Sequence, residues 1–451
     1  MSIAPTSTPL RKTAQIGFWM ATALVVGNMI GSGIFLLPAA LAPFGADNLP
    51  GWLLTAGGAV ALGLVFAELS RAVPGAGGPY AYTREAFGNL PGFIVAWGYW
   101  VSVWVGNAAI ATGAVGYAGE FFPWMVRTPL LTALTTLAFV WTFTLVNCAG
   151  IRAAGWVQGV TTLLKLLPLV AAIVLLVQRV PSLEWSGVTG AHFTLGGTAS
   201  VATLALWAML GMESATIPAD KVKGAGATVW RATVWGTVGT VVVGAAACAA
   251  VLLLVPAARL SASSAPFAEL VRGPWGTGAA RAVSLFAAIS ALGALNGWTL
   301  LQGELPCAMA RDGLFVRAFA RTNARSAPVT ALLGTSVLVT ILVLLNLHRT
   351  LVGVFTFFLL LSTASALFAY LACSFALVRL RGRGRTSASR GATAWLGVLG
   401  CVGALYSIGA LAGAGREAVF WGVALLLAGL PVYVAVRGRR TDAGSRLKAQ
   451  G

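Results

Sequence analysis

Apolar residues run along this chain in long unbroken blocks, with neither the alternation of a half-buried strand nor the single stripe of a surface helix. Twelve blocks are long enough to span a bilayer, which takes about 20 residues each. They cover roughly 16–40, 50–71, 88–119, 128–149, 154–178, 198–219, 230–255, 281–308, 327–346, 351–378, 393–413 and 417–436. Short polar segments separate most of them. The pattern predicts an all-α integral membrane protein of about twelve transmembrane helices. It forms one polytopic unit over 16–436, between an N-terminal segment 1–15 and a C-terminal tail 437–451.

Two blocks are interrupted. The first holds GNMIGSGIFLLP (27–38), with Gly31-Ser32-Gly33 in mid-span. The sixth holds LWAMLGMESATIP (206–218), with a break at Gly211-Met212-Glu213. Pro38 follows Gly31 by the same interval as Pro218 follows Gly211. Each glycine costs a helix about 1 kcal/mol relative to alanine. Unwound backbone survives in hydrocarbon only where protein or a wet cavity satisfies it. Close helix packing at small residues is one account of Gly31 and Gly33. The matching break in the sixth block favours another: matched broken helices in two halves mark a transporter's binding site. Freed amides at the start of a half-helix attract a carboxylate, and freed carbonyls at the end of one attract an ammonium. Those two charges are the backbone of a zwitterionic amino acid.

Composition agrees. The chain of 451 residues is 58% hydrophobic and 9% charged, against about 25% charged in soluble domains. The net charge of +18 would suggest nucleic acid if it were clustered. With the N-terminus inside and alternating spans, 22 of the 30 Lys and Arg fall on inner segments, including the run Arg379–Arg390, and seven on outer ones. This is the positive-inside pattern, so both termini are expected in the cytoplasm and no nucleic-acid partner is implied. The first apolar run is too long for a signal-peptide core. Cys148, Cys248, Cys307, Cys373 and Cys401 lie in or beside spans without a CxxC pair, and His192 and His348 fall in outer loops. Neither a metal, a cofactor nor a disulfide is suggested. There is no P-loop for a primary pump, no catalytic cluster for a membrane enzyme and no ring of charges for a channel.

The two interrupted stretches, with PGAGGPYAYTREAFG (74–88) and ARDGLFVRAFAR (310–321), resemble the amino acid–polyamine–organocation permease superfamily. Within it they are most similar to the arginine/agmatine exchangers of bacterial inner membranes. The resemblance spans nearly the whole chain. It implies helices 1–5 and 6–10 as inverted repeats, with helices 1 and 6 broken. The substrate is then an amino acid or polyamine, and the lipid bilayer is the surrounding partner. A homodimer is left open. Carried over by motif, Ser32 and Gly33 would bind the substrate carboxylate. Met29, Ile30, Trp207 and Leu210 would offer carbonyls to its ammonium. Trp207 would stack on a guanidinium, and Asn107 and Ser362 would hydrogen-bond the substrate. Trp298 would gate the outer cavity, and Tyr99, Glu213 and Tyr370 the inner one. An acid in mid-span such as Glu213 is a functional residue by default.

The sequence departs from that branch at three places. Lys165, in TTLLKLLPLV, stands where some proton-coupled relatives carry a lysine in place of a sodium ion. It either titrates as a coupling group or snorkels to the cytoplasmic interface. Glu304, in LLQGELPCAMARDG, either pairs with Lys165 or faces the cytoplasmic mouth. Asn296 beside Trp298, with Ser102 and Val103 on helix 3, leaves side-chain selectivity open. The chain therefore reads as a secondary amino acid transporter working by alternating access, either an exchanger or a proton-coupled permease or exporter using Lys165.

Overall fold

The computed structural model describes residues 16–179, 181, 193–384 and 390–437; His192 lies outside them. The helices follow the apolar runs. The first run is two helices, α1 (Phe18–Met29) and α2 (Ser32–Leu41), parted at Ile30-Gly31. Then come α3 (Asn48–Ala72), a short amphipathic α4 (Pro79–Phe87), α5 (Asn89–Ala118) and α6 (Pro129–Cys148). The fifth run is also two helices, α7 (Ile151–Leu164) and α8 (Leu166–Arg179), joined at Lys165. They are followed by α9 (Leu195–Trp207), α10 (Ala225–Leu254), α11 (Ala257–Ala262), α12 (Pro266–Arg311), α13 (Val329–Leu345), α14 (Leu351–Gly382), α15 (Arg390–Gly413) and α16 (Arg416–Leu427). Nine helical stretches among the described residues are long and apolar enough to cross a membrane. No strand occurs among them; Ile16 and Val222 form a single isolated bridge.

The local causes of these boundaries are visible. Thr128, Thr194 and Thr350 each accept a first-turn amide at the start of α6, α9 and α14, the cap an exposed helix start needs. Pro168 has no amide to offer the carbonyl of Leu164, and the fifth helix turns at Lys165 just before it. Two features differ from the sequence expectation. α12 begins at Pro266, well before the expected 281, because its first part continues past a kink at Gly276. After α9 the sixth span does not resume as a long second half-helix. It passes through turns and two short 3-10 segments, Ser214–Thr216 and Ala219–Lys221.

α5 is the central post. It is buried from Phe93 to Tyr117 on nearly every turn, with α12 and α14 packed along it. The outer helices expose large apolar side chains instead, among them Trp156, Leu163, Leu405 and Phe420. A belt of that kind is stable only against lipid.

One end of the bundle is tied across elements by charge. Ile16 exchanges backbone hydrogen bonds with the segment after α9: its N donates to Lys221 O at 2.8 Å and its O accepts from Lys223 N at 3.0 Å. The Lys221 ammonium then reaches the Glu304 carboxylate of α12 at 2.5 Å, both side chains about nine-tenths buried or more. Beside it Asp312, at the end of α12, accepts from Tyr80 at 2.7 Å and from Arg84 of α4. Breaking a buried ion pair strands a charge and costs about 3–5 kcal/mol, whereas replacing both partners by apolar groups is often neutral. Glu304→Ala and Lys221→Met should each lower the thermal midpoint in detergent, and Lys221→Met/Glu304→Leu should restore much of it. Tryptophan fluorescence melts report this directly; single variants that melt like the parent would show the pair contributes nothing.

Candidate functional site

The two interruptions meet in space. α1 ends when Ile30 turns extended (φ −85°, ψ 94°), and Gly31, also extended, opens α2. No side chain caps α2, so its first amides lack an intrahelical partner at the positive end of that helix. Opposite lies Gly211 at φ +106°. A Cβ there would stand 2.9 Å from that of Asn28 and 3.2 Å from the Met29 nitrogen, so only glycine lets the two unwound segments touch. Asn28 Nδ2 donates to Ser214 Oγ at 2.8 Å and fastens one break to the other.

A small cavity lies between them. Of the residues singled out from sequence, Met29, Gly33, Trp207, Leu210 and Trp298 line it. Asn28, Gly31 and Ile110 complete the wall. The Trp207 indole lies across Gly33, where a Cβ would come within 2.7 Å of its Cδ1 and Nε1. Trp298 Nε1 donates to the Asn28 carbonyl at 3.0 Å, so this indole is tied to the first break. The cavity has room for about one water molecule. This is therefore a closed conformation, and anything the size of an amino acid enters only when the walls part.

The remaining sequence-predicted residues stand around it. The Glu213 carboxylate accepts from Tyr99 of α5 and from Tyr370 of α14, the latter at 2.6 Å, and all three side chains are fully buried. Asn107 and Ser362 do not line the cavity. Asn107 Nδ2 donates to Gln302 Oε1 at 2.6 Å, and Ser362 Oγ donates to the Ser102 carbonyl at 2.8 Å. Ser32 opens α2, and its side chain lies outside the described structure.

Lys165 does not snorkel. It is fully buried, and its ammonium donates to the Gly27 and Ile30 carbonyls at 2.6 and 2.7 Å. Those acceptors are the carbonyl end of α1, where the helix dipole favours a cation. This alters the reading of Ile30, whose carbonyl already carries the lysine. Pairing of Glu304 with Lys165 is overturned: its partner is Lys221, because Glu304 lies two turns beyond Trp298 on α12, at the bundle end where Lys221 emerges.

Three contributors escaped the sequence reading. Asn28 had a signal, a polar residue inside the interrupted stretch. Gln302 had a weaker one, a mid-span amide one turn past Trp298. Lys221 had none, because its burial depends on how the segment after α9 folds back. Among the described residues no group of His, Cys, Asp and Glu is arranged to hold a metal ion.

Comparison with known proteins accords with this geometry. The family profile for amino acid permeases matches residues 16–436. A putative arginine/ornithine antiporter of Bacillus subtilis is 32% identical over 467 residues, covering 95% of this chain and 98% of that protein. A cadaverine/lysine antiporter of Escherichia coli is 35% identical over 339 residues, 73% of this chain and 74% of its own. The putrescine transporter PotE of Haemophilus influenzae is 28% identical over 432 residues, 94% and 97% of the two chains. Two helix breaks closed over one cavity, in a helical bundle that the family profile matches over residues 16–436, lead to one conclusion: the chain belongs to the amino acid permease family, as a multi-pass membrane transporter and not an enzyme.

Proposed function

We propose that this transporter is an antiporter for cationic amino acids and the related diamines, working by alternating access in a bacterial inner membrane with both termini in the cytoplasm. The observation that carries the reading is the cavity at the crossing of the two breaks, walled by Trp207 and Trp298. The named activities of the relatives, arginine/ornithine, cadaverine/lysine and putrescine transport, support a substrate with a positive side chain or two amines. In this reading the carboxylate of an amino acid meets the amides of Ser32 and Gly33. The α-ammonium meets the carbonyls of Met29 and of the Trp207–Leu210 turn, the Ile30 carbonyl being held by Lys165. The side-chain cation lies on Trp207. Trp298 closes the outer side, and the Tyr99–Glu213–Tyr370 cluster the inner side.

A second reading, proton-coupled uptake or export, is favoured by one observation: a buried lysine whose only route to partners among the described residues is the carbonyl end of α1. Loss of its proton would leave two neutral N–H donors for those carbonyls but remove the charge that the end of α1 favours, and so weaken the hold on the break. Proton binding and the state of the first break would then be linked.

Radiolabelled flux into proteoliposomes separates the two. For the antiporter, uptake of arginine, lysine or putrescine requires one of them inside, and Trp207→Leu weakens cation binding by about 0.5–2 kcal/mol while leucine binding changes less. Transport of leucine with indifference to arginine, lysine and putrescine would overturn the reading. For proton coupling, an outside-acid gradient at fixed inner pH raises uptake in the parent, and Lys165→Ala abolishes that rise. Flux unaffected by the gradient but strictly dependent on internal substrate would leave Lys165 as a strut for the first break.

A further inference from the structure

Behind the cavity runs a chain of four polar side chains, one from each of four helices. Thr144 (α6), Ser336 (α13), Gln302 (α12) and Asn107 (α5) are all fully buried or within a percent of it. Ser336 Oγ and Thr144 Oγ1 are 2.7 Å apart, Gln302 Nε2 is 2.9 Å from Ser336 Oγ, and Asn107 Nδ2 is 2.6 Å from Gln302 Oε1. The close approach of α13 to α12 that allows it occurs at Gly303, where a Cβ would come within 2.7 Å of Leu332 Cδ2.

The direction of the chain follows from counting protons. Thr144 has one hydroxyl proton, and it lies on the Val140 carbonyl at 2.8 Å. The proton between Thr144 and Ser336 therefore belongs to Ser336. Having given it, Ser336 can only accept from Gln302, so the amide nitrogen of Gln302 faces Ser336 and its oxygen faces α5. Asn107 must then turn its nitrogen to Gln302. What remains is Asn107 Oδ1, buried and without a hydrogen-bond partner among the described residues. Reversing the chain would leave the Asn107 nitrogen free instead, but it costs either the Thr144–Val140 or the Thr144–Ser336 bond. One further contact holds the backbone at this point: Trp100 Nε1 donates to the Gln302 main-chain carbonyl at 3.2 Å.

The chain ends beside the cavity. Asn107 is one turn from Ile110, which lines it, and Gln302 is one turn from Trp298, which does too. The neighbouring Gly106 lies against Trp207, its Cβ position 3.2 Å from Cη2. A buried acceptor without a donor is costly to leave unsatisfied, and the ligand that relieves it must bring an N–H or O–H.

We propose that Gln302 is a positioning residue for substrate selectivity: through Thr144 and Ser336 it fixes the Asn107 amide with its oxygen free, so the far end of the substrate must be a donor, an ammonium or a guanidinium. The inference rests on the proposed placement of the substrate's side-chain cation on Trp207, and takes its far end on to Asn107. It adds that selectivity at this point is set by an orientation determined two helices away. No charged group is needed there. A site built to hydrogen-bond one group discriminates strongly against an analogue lacking it, because the protein partner is then left unpaired.

The decisive variants lie away from the cavity. Ser336→Thr keeps the hydroxyl, and Ser336→Val has nearly the same shape without it, so any packing strain is common to both. The measurement is the half-saturating concentration for lysine and for norleucine, which lacks the terminal ammonium, in proteoliposome exchange. Ser336→Thr should keep the parent's preference for lysine. Ser336→Val and Gln302→Met should lose about tenfold of it, the scale of one hydrogen bond to a charged group, through weaker lysine binding with norleucine unchanged. Should Ser336→Val and Gln302→Met both retain the parent's lysine preference, the relay plays no part in selectivity and the proposal fails. A parent protein with no preference for lysine overturns the cation reading itself, and this inference with it. If Gln302→Met does not fold, the Ser336 pair decides alone.

Discussion

A backbone that unwinds inside an apolar bundle must find its hydrogen bonds there, since hydrocarbon offers none. In this protein the Lys165 ammonium meets that requirement at the first break, on the carbonyls of Gly27 and Ile30. Other constraints follow from this one. The joint between α7 and α8 must present a lysine at the level of the break, and the turn before Pro168 places it. Trp298 takes the next carbonyl, that of Asn28, and Asn28 in turn holds Ser214 beyond the second break. The break is therefore a junction of α1, the α7–α8 joint, α12 and the segment after α9, and a change of partner at one contact is felt by the rest.

The same economy governs the Glu213 cluster. Glu213 sits in the protein interior with a tyrosine on each carboxylate oxygen, so in this closed conformation each oxygen accepts from one helix, α5 or α14. Ser362 and Ser102 join those two helices again nearer the cavity. Opening would exchange such partners for substrate or water, since a buried polar group left bare is costly. Bistability in a transporter of this kind comes from alternative complete sets of partners.

Charge at the bundle's end adds a second layer. The N-terminal strand of backbone at Ile16 pairs with the segment after α9, and the buried Lys221–Glu304 pair locks that segment to α12. The segment that closes the second break is thus fastened to the helix that carries Trp298 and Gln302. That segment and the cavity wall therefore share one helix.

The sequence alone determined the membrane-spanning helical class, since runs of apolar residues this long have one stable home. It also located both helix breaks, because glycine and proline act on their own neighbours within a turn. Met29, Gly33, Trp207 and Leu210 lie in or beside such a local signal, whereas Trp298 was singled out through the family resemblance alone. What the tertiary structure decided were the pairings between distant elements: Lys165 with Ile30, Lys221 with Glu304 where Lys165 had been an alternative, and Asn107 with Gln302. Each depends on which faces of separate helices meet. A polar residue in an apolar run announces that it needs a partner, but the partner is chosen by packing across the bundle, where proximity along the chain carries no information.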